Sequence, residues 1–149
     1  SEVFLEEARR RSNKIFAPEK AEKLPFDDGT FGAVFSVATL EFLETKQKLD
    51  RAVKEIYRVL RKGGKIVIMV LNSESGYVKE HKKRRDSYFN RMKHVPEIIR
   101  NFCLRLFELE KRRYFLEVMF DEEKKWRILN LGTNDVNLAA FCVIIGEKQ

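Results

Sequence analysis

The 149-residue sequence predicts an α/β fold, a sandwich on a mostly parallel sheet, and three observations predict it. Two continuous apolar runs, "GAVFSVA" (32–38) and "KIVIMVL" (65–71), have the length and β-branched content of strands covered on both faces. Between them, Leu49, Ala52, Val53, Ile56, Val59 and Leu60 recur at helical spacing along one face. The order strand, helix, turn, strand is a βαβ unit, which requires parallel pairing and a right-handed crossover. Strands then continue to alternate with helices to the end of the chain.

Each element has a local reason. "SEVFLEEARRR" places a serine cap, early glutamates and a closing arginine cluster around a helix over about 2–11. A chain that opens inside such a motif is expected to have residues before Ser1. "NKIFAPEK" is interrupted by Pro18, which removes a ladder donor, so it reads as an edge strand or no strand. The turn "FDDGTF" feeds the first buried strand, and Gly63-Gly64 is predicted to end the crossover helix. From Asn72 to Pro96 the chain is polar and basic, a loop plus a solvated helix. "PEIIRNFCLRLFELEK" (96–111) reads as an amphipathic helix with proline in its first turn. "RRYFLEVMF" (112–120) reads as a strand, "WRILNL" as a loop or short strand, and "AAFCVIIGEK" (139–148) as a final strand.

Composition bounds the function. With 44% hydrophobic and 36% charged residues, the chain supports one domain over 1–149 and not two. No apolar run approaches the roughly 20 residues that cross a bilayer, and no leader pattern is present. Cys103 and Cys142 sit in apolar stretches and read as buried thiols, so a cytoplasmic protein is expected. No metal site is predicted. The net charge is +7, and Lys79–His94 holds seven basic residues against Glu80 and Asp86.

Three stretches carry a resemblance: "AEKLPFDDGTFGAVFSVATLEF", "AVKEIYRVLRKGGKIVIMV" and the terminal "AFCVIIGEK". In this order they resemble the class I S-adenosylmethionine-dependent methyltransferases, in particular the group related to ubiquinone and menaquinone methyltransferases. The resemblance implies a Rossmann-like sandwich, truncated relative to the family, whose last strand runs antiparallel. It implies S-adenosylmethionine as cofactor and a small-molecule methyl acceptor. It also implies that Ala21, Glu22, Ser36, Val37 and Ala38 bind the cofactor, because ligands of open α/β sheets sit outside the carboxyl ends of the strands. The segment 72–96 would build the acceptor pocket, with Tyr77, His81, Tyr88, Phe89 and His94. His81 and His94 read first as members of a solvated basic helix.

The chain departs from the family pattern in several places. The glycine-rich loop after the family's first strand is absent, and so is the acidic residue that follows its second. "RKGGK" follows a helix and precedes a strand, the wrong order for a dinucleotide-type loop. Lys20 stands where the family often has Asp, Gly32 replaces an Asp, and Glu41-Phe42 stand where many members carry His, so no catalytic residue is assigned. In the family the first strand separates the fourth from the second and third. Without it, "GAVFSVA" is an unpaired apolar edge, an aggregation hazard unless covered by preceding residues or another chain. The 149-residue chain is therefore expected to bind the cofactor poorly.

Two other functions compete. "KEHKKRRDSYFNRMKH" interleaves basic and aromatic residues, as a nucleic-acid- or anion-binding module would. A methyltransferase acting on RNA would unite both readings. The third is a non-catalytic methyltransferase-like partner subunit, a homo-oligomer joined near Ala33–Ala38.

Overall fold

The computed structural model describes residues 2–12, 14, 19–110, 113–120, 126–133, 135 and 139–149, with backbone alone for 2–4, 113–120 and 126–133. Its elements are α1 (Glu2–Arg11), β1 (Phe31–Val37), α2 (Lys46–Val59), β2 (Leu60–Leu71), α3 (Gly76–Lys82), α4 (Pro96–Cys103), β3 (Glu108–Leu109), β4 (Arg113–Phe120), β5 (Trp126–Thr133) and β6 (Ala139–Glu147). Short 3-10 turns at Leu40–Phe42 and Tyr88–Arg91 punctuate the loops.

The strands form one sheet in the order β1-β2-β6-β4-β5, with β3 also on β6. β1 and β2 pair in parallel, Val34 opposite Ile66 and Val37 opposite Met69. β6 runs antiparallel between β2 and β4, and β5 reverses again on β4. β1, β2, β3 and β4 therefore point one way, and the last strand points the other. The α/β class and the antiparallel last strand are those the resemblance implies, while the sheet is mixed and not mostly parallel: among the described strands only β1 and β2 pair in parallel.

The core lies on one face of that sheet. α2 presents Leu49, Ala52, Val53, Ile56 and Val59, all buried, because the 3.6-residue period brings them onto one stripe. They meet Ile66, Ile68 and Val70 of β2, and α4 adds Ile99 and Cys103. The opposite face of β1 is open: Phe35 is 71% and Val37 51% exposed. Two apolar side chains in water along an edge strand mark a surface made to be covered.

Three expectations need correction. α2 does not run to the glycine pair; Leu60 turns extended (ψ 135) and starts β2. Tertiary pairing accounts for this, since Leu60 already lies opposite Phe31 and the extra residues form a bulge before Ala33 pairs with Lys65. Gly63 (φ 71) donates to the Lys148 carbonyl and Gly64 accepts from the Lys148 amide, so the pair anchors the chain terminus. The helix from Pro96 ends at Cys103, not at 111. Leu106 and Phe107 both donate to the Cys103 carbonyl in a tight turn, and buried Phe107 packs on Tyr57 with ring centroids 5.3 Å apart. That turn delivers Glu108 and Leu109 to the β6 edge. "WRILNL" is a full strand, β5. The "NKIFAPEK" reading falls largely outside the described residues, since 13 and 15–18 are not among them.

Candidate functional site at the carboxyl ends of β1 and β2

β1 and β2 end side by side, and the chain leaves β1 through a left-handed residue. Ala38 has φ 47, a region that disfavours a Cβ, and its amide donates to the Met69 carbonyl at 2.9 Å. Such a position persists only where the surroundings hold it, and strained turns concentrate at functional sites. Thr39 Oγ1 caps the Val37 carbonyl at 2.9 Å. Ser36 is half-buried in register with Ile68, and Val37 faces the open side.

Glu41 fastens this turn to the rest of the site. It is fully buried, and its Oε1 accepts from the Leu71 amide at 2.9 Å, joining the turn after β1 to the end of β2. Its carbonyl accepts from the amides of Lys93 (2.7 Å) and His94 (3.2 Å), which ties the basic segment to the same point. Oε2 and both ring nitrogens of buried His94 have no hydrogen-bond partner among the described residues. Burial pushes the Glu41 carboxyl above the ordinary carboxylate range, against the lowering effect of the Leu71 amide. Asn72 continues the anchoring by donating from Nδ2 to the Ala139 carbonyl at 2.9 Å.

The loop bearing Ala21 and Glu22 is held from below by α2. Arg58 donates to the carbonyls of Leu24 (3.0 Å) and Phe26 (2.7 Å) and to Asp28 Oδ1 (2.8 Å). Glu55 accepts from the Leu24 amide at 2.7 Å and from Arg58 Nε at 2.8 Å. The Arg58 guanidinium holds the Glu55 carboxyl down at about 2. The contribution is present above the ordinary carboxylate range and is lost as pH falls toward that value.

The structure brings some of the expected cofactor residues together and not others. Ala21 packs against the core, and Glu22 lines an open groove of about 580 Å³ with Lys20, Lys23, Phe42, Leu43 and Glu44. Ser36, Val37 and Ala38 do not line it. The groove belongs to the turn after Ala38, so Glu22 shares it with Phe42 rather than with the strand end itself. On the acceptor side, Tyr77, His81 and Phe89 cluster, with centroid distances of 4.3 Å (Tyr77–His81) and 5.2 Å (His81–Phe89). His81 Nδ1 donates to the Tyr77 carbonyl at 2.9 Å. His94 is buried, not a member of a solvated helix as the sequence suggests. Its amide bond to the Glu41 carbonyl draws it inward.

Do these residues fit an adenosyl cofactor? They supply one wall: small residues at a strand end, a left-handed turn and a carboxylate at the groove. The Ala38 amide is already committed to Met69, and the open side of β1 offers Phe35 and Val37 to water. The fit is to half of a pocket, so no chemical step is derived through the cofactor.

Comparison with known proteins gives consistent findings. A family model described as "Methyltransferase domain" matches residues 1–68. A solved structure from Thermotoga maritima, titled as a SAM-dependent methyltransferase and possible histamine N-methyltransferase, superposes with a TM-score of 0.76 at 25% identity. It covers 100% of this chain and 70% of that one. A sterol 4-C-methyltransferase of Caenorhabditis elegans is 36% identical over 70 residues, which are 47% of this chain and 20% of that protein. A tRNA (carboxymethyluridine(34)-5-O)-methyltransferase of Xenopus tropicalis is 32% identical over 93 residues, 62% of this chain and 14% of that protein. The chain thus spans a fifth or less of these two curated relatives.

Proposed function

We infer that the chain is a class I S-adenosylmethionine-dependent methyltransferase, or part of one, and that it supplies one wall of a methyl-transfer site at the carboxyl ends of β1 and β2. One observation carries this reading. Two parallel strands joined by a crossover helix end together at a left-handed turn, which is where open α/β sheets hold their ligands. S-adenosylmethionine, when bound, supplies a methyl group on a sulfonium that an acceptor displaces in line. The protein's own task is then mainly to position and to exclude water.

In this reading residues 1–149 form part of a single methyltransferase-like domain. Ala21, Glu22, Ser36, Val37 and Ala38 face the adenosyl group, and segment 72–96 faces the acceptor. Arg58 and Glu55 are positioning residues that set the height of the loop bearing Ala21 and Glu22. Glu41 positions the turn after β1; it reaches Leu71 and nothing that reacts. The uncovered β1 edge is completed by further chain or by a second subunit. A small-molecule acceptor is the first reading of the half-buried Tyr77–His81–Phe89 cluster. A nucleotide within RNA is the second, favoured by the cationic surface around Phe42 and Tyr88. We place the protein in the cytoplasm on its buried cysteines, the Cys103 thiol being pushed up to about 12 by desolvation and so inert toward exchange.

Calorimetric titration with S-adenosylhomocysteine tests the reading. The 149-residue chain is expected to bind weakly, and a protein with the β1 edge covered to bind tightly. Tight binding by the 149-residue chain overturns the half-pocket. Absence of binding in the covered form overturns the methyltransferase assignment of the site.

A further inference from the structure

The carboxyl end of β1 is ringed by positive charge, with an aromatic pair at its centre. Phe42 stacks against Tyr88 with ring centroids 4.4 Å apart, and Tyr88 remains 54% exposed. The Arg91 guanidinium lies 5.9 Å from the Tyr88 ring centroid. On one flank is the groove, which carries Lys20, Lys23, Lys48 and Arg51 against Glu22 and Glu44, the latter paired with Lys48. On the other flank Arg84 and Arg85 are exposed. They are drawn back onto the Tyr88–Arg91 turn because the Ser87 amide (3.1 Å) and Asn90 Nδ2 (2.8 Å) both donate to the Arg84 carbonyl.

Lys93 joins the two flanks. Its amide is fixed to the Glu41 carbonyl at 2.7 Å. Lys48 first, then Lys20 and Lys93, hold the Glu44 carboxyl below the usual carboxylate range, so these cations converge on one carboxylate. Lys79 and Lys83 are neutralised by Glu74 and Glu80. Arg84, Arg85, Arg91 and Lys93 make no ion pair among the described residues. Unpaired cations held around an exposed ring are arranged for a polyanion that also carries flat faces.

We propose that this belt binds single-stranded nucleic acid, with Arg84, Arg85, Arg91 and Lys93 tracking its phosphates and an unpaired base stacking on Tyr88. Cations neutralise successive phosphates, while an aromatic face accepts any base that is free of a duplex. A paired helix would present no such face. An anionic membrane would use the cations together with the exposed Val37 and Val95 rather than the ring. An acidic protein would use the cations and leave the ring idle. The proposal deepens the second reading of the methyl-transfer site, in which a nucleotide is the acceptor, and it rests on that reading for the acceptor role alone.

Fluorescence anisotropy with labelled oligouridine and oligodeoxythymidine of about 12 nucleotides tests it without any methyl donor present. Four phosphate contacts predict a log–log salt slope of about −2.8, a roughly 50-fold loss of affinity between about 50 and 200 mM salt. Arg84→Ala with Arg85→Ala should flatten that slope by about 1.4. Tyr88→Ala should weaken binding about tenfold with the slope unchanged, and Tyr88→Phe should restore it. All three variants sit on exposed residues, and circular dichroism checks that they fold. The better of the two probes tells which sugar is preferred. No binding at low salt overturns the proposal, as does binding that none of the variants changes. Equal affinity for heparin, which has no bases, together with insensitivity to Tyr88→Ala, assigns the surface to acidic partners instead. Because S-adenosylhomocysteine binding is read separately, loss of one result leaves the other standing.

Discussion

Replacing Glu41 by glutamine is expected to stabilise the protein at pH 8 and to change little near pH 4. Glu41 is fully buried, has one oxygen without a partner among the described residues, and is held above the ordinary value of 4.5 by desolvation. A raised acid favours its protonated form in the folded state. Its stabilising contribution is therefore complete below 4.5 and is lost as pH rises through the folded value. At neutral pH the side chain costs stability if ionised, and glutamine removes that charge while still accepting from the Leu71 amide. The gain should be about 1–3 kcal/mol. Glu41→Ala should instead destabilise by about 2–4 kcal/mol at every pH, because it orphans the Leu71 amide and leaves a cavity. Chemical denaturation of both variants at the two pH values checks this. A glutamine variant weaker than wild type at pH 8 would mean the carboxylate has a cationic partner inside the protein.

Lysines at Phe35 and Val37 are expected to abolish self-association of the chain. Both side chains project apolar surface into water from a strand whose outer edge has no partner among the described residues. Strand edges of this kind pair with whatever strand is offered. Sedimentation velocity should show concentration-dependent association of the unmodified chain and a monomer for Phe35→Lys with Val37→Lys. Since neither residue belongs to the buried cluster, stability should change by no more than about 0.5 kcal/mol. A wild-type chain that stays monomeric would show that the exposed face tolerates water. In a protein where this face is covered, the same pair should be strongly destabilising, and the contrast between the two contexts is the informative result.

The β1–α2–β2 unit was legible in the sequence because two independent signals agreed: continuous apolar runs for the strands and a 3.6-residue stripe for the helix. Boundaries were less legible where tertiary contacts decided them. Nothing local at Leu60 announces a strand; its pairing with Phe31 does, and the glycines serve the terminus at Lys148 instead of the helix. α4 ran too long in the sequence because apolar spacing continues past Cys103, while the turn that ends it depends on Phe107 finding Tyr57.

The site divides the same way. Ala21, Glu22 and Ser36–Ala38 were placed by resemblance, and periodicity alone would not have singled them out. Glu41 carried a readable signal, a carboxylate inside "ATLEFL", whose burial the apolar neighbours foreshadow. Glu55 and Arg58 are visible as an i, i+3 charge pair on α2, but their partners at Leu24, Phe26 and Asp28 lie some thirty residues away. A linear pattern cannot show which loop a charge pair will hold.

The central claim is that the adenosyl part of the cofactor meets the carboxyl ends of β1 and β2. Amide chemical-shift mapping with S-adenosylhomocysteine at high concentration reads this residue by residue, even where binding is weak. Perturbations are predicted at Glu22, at Ser36 to Ala38 and at Phe42. Perturbations confined to Arg61–Gly64 and Lys148, at the opposite ends of the strands, would contradict it.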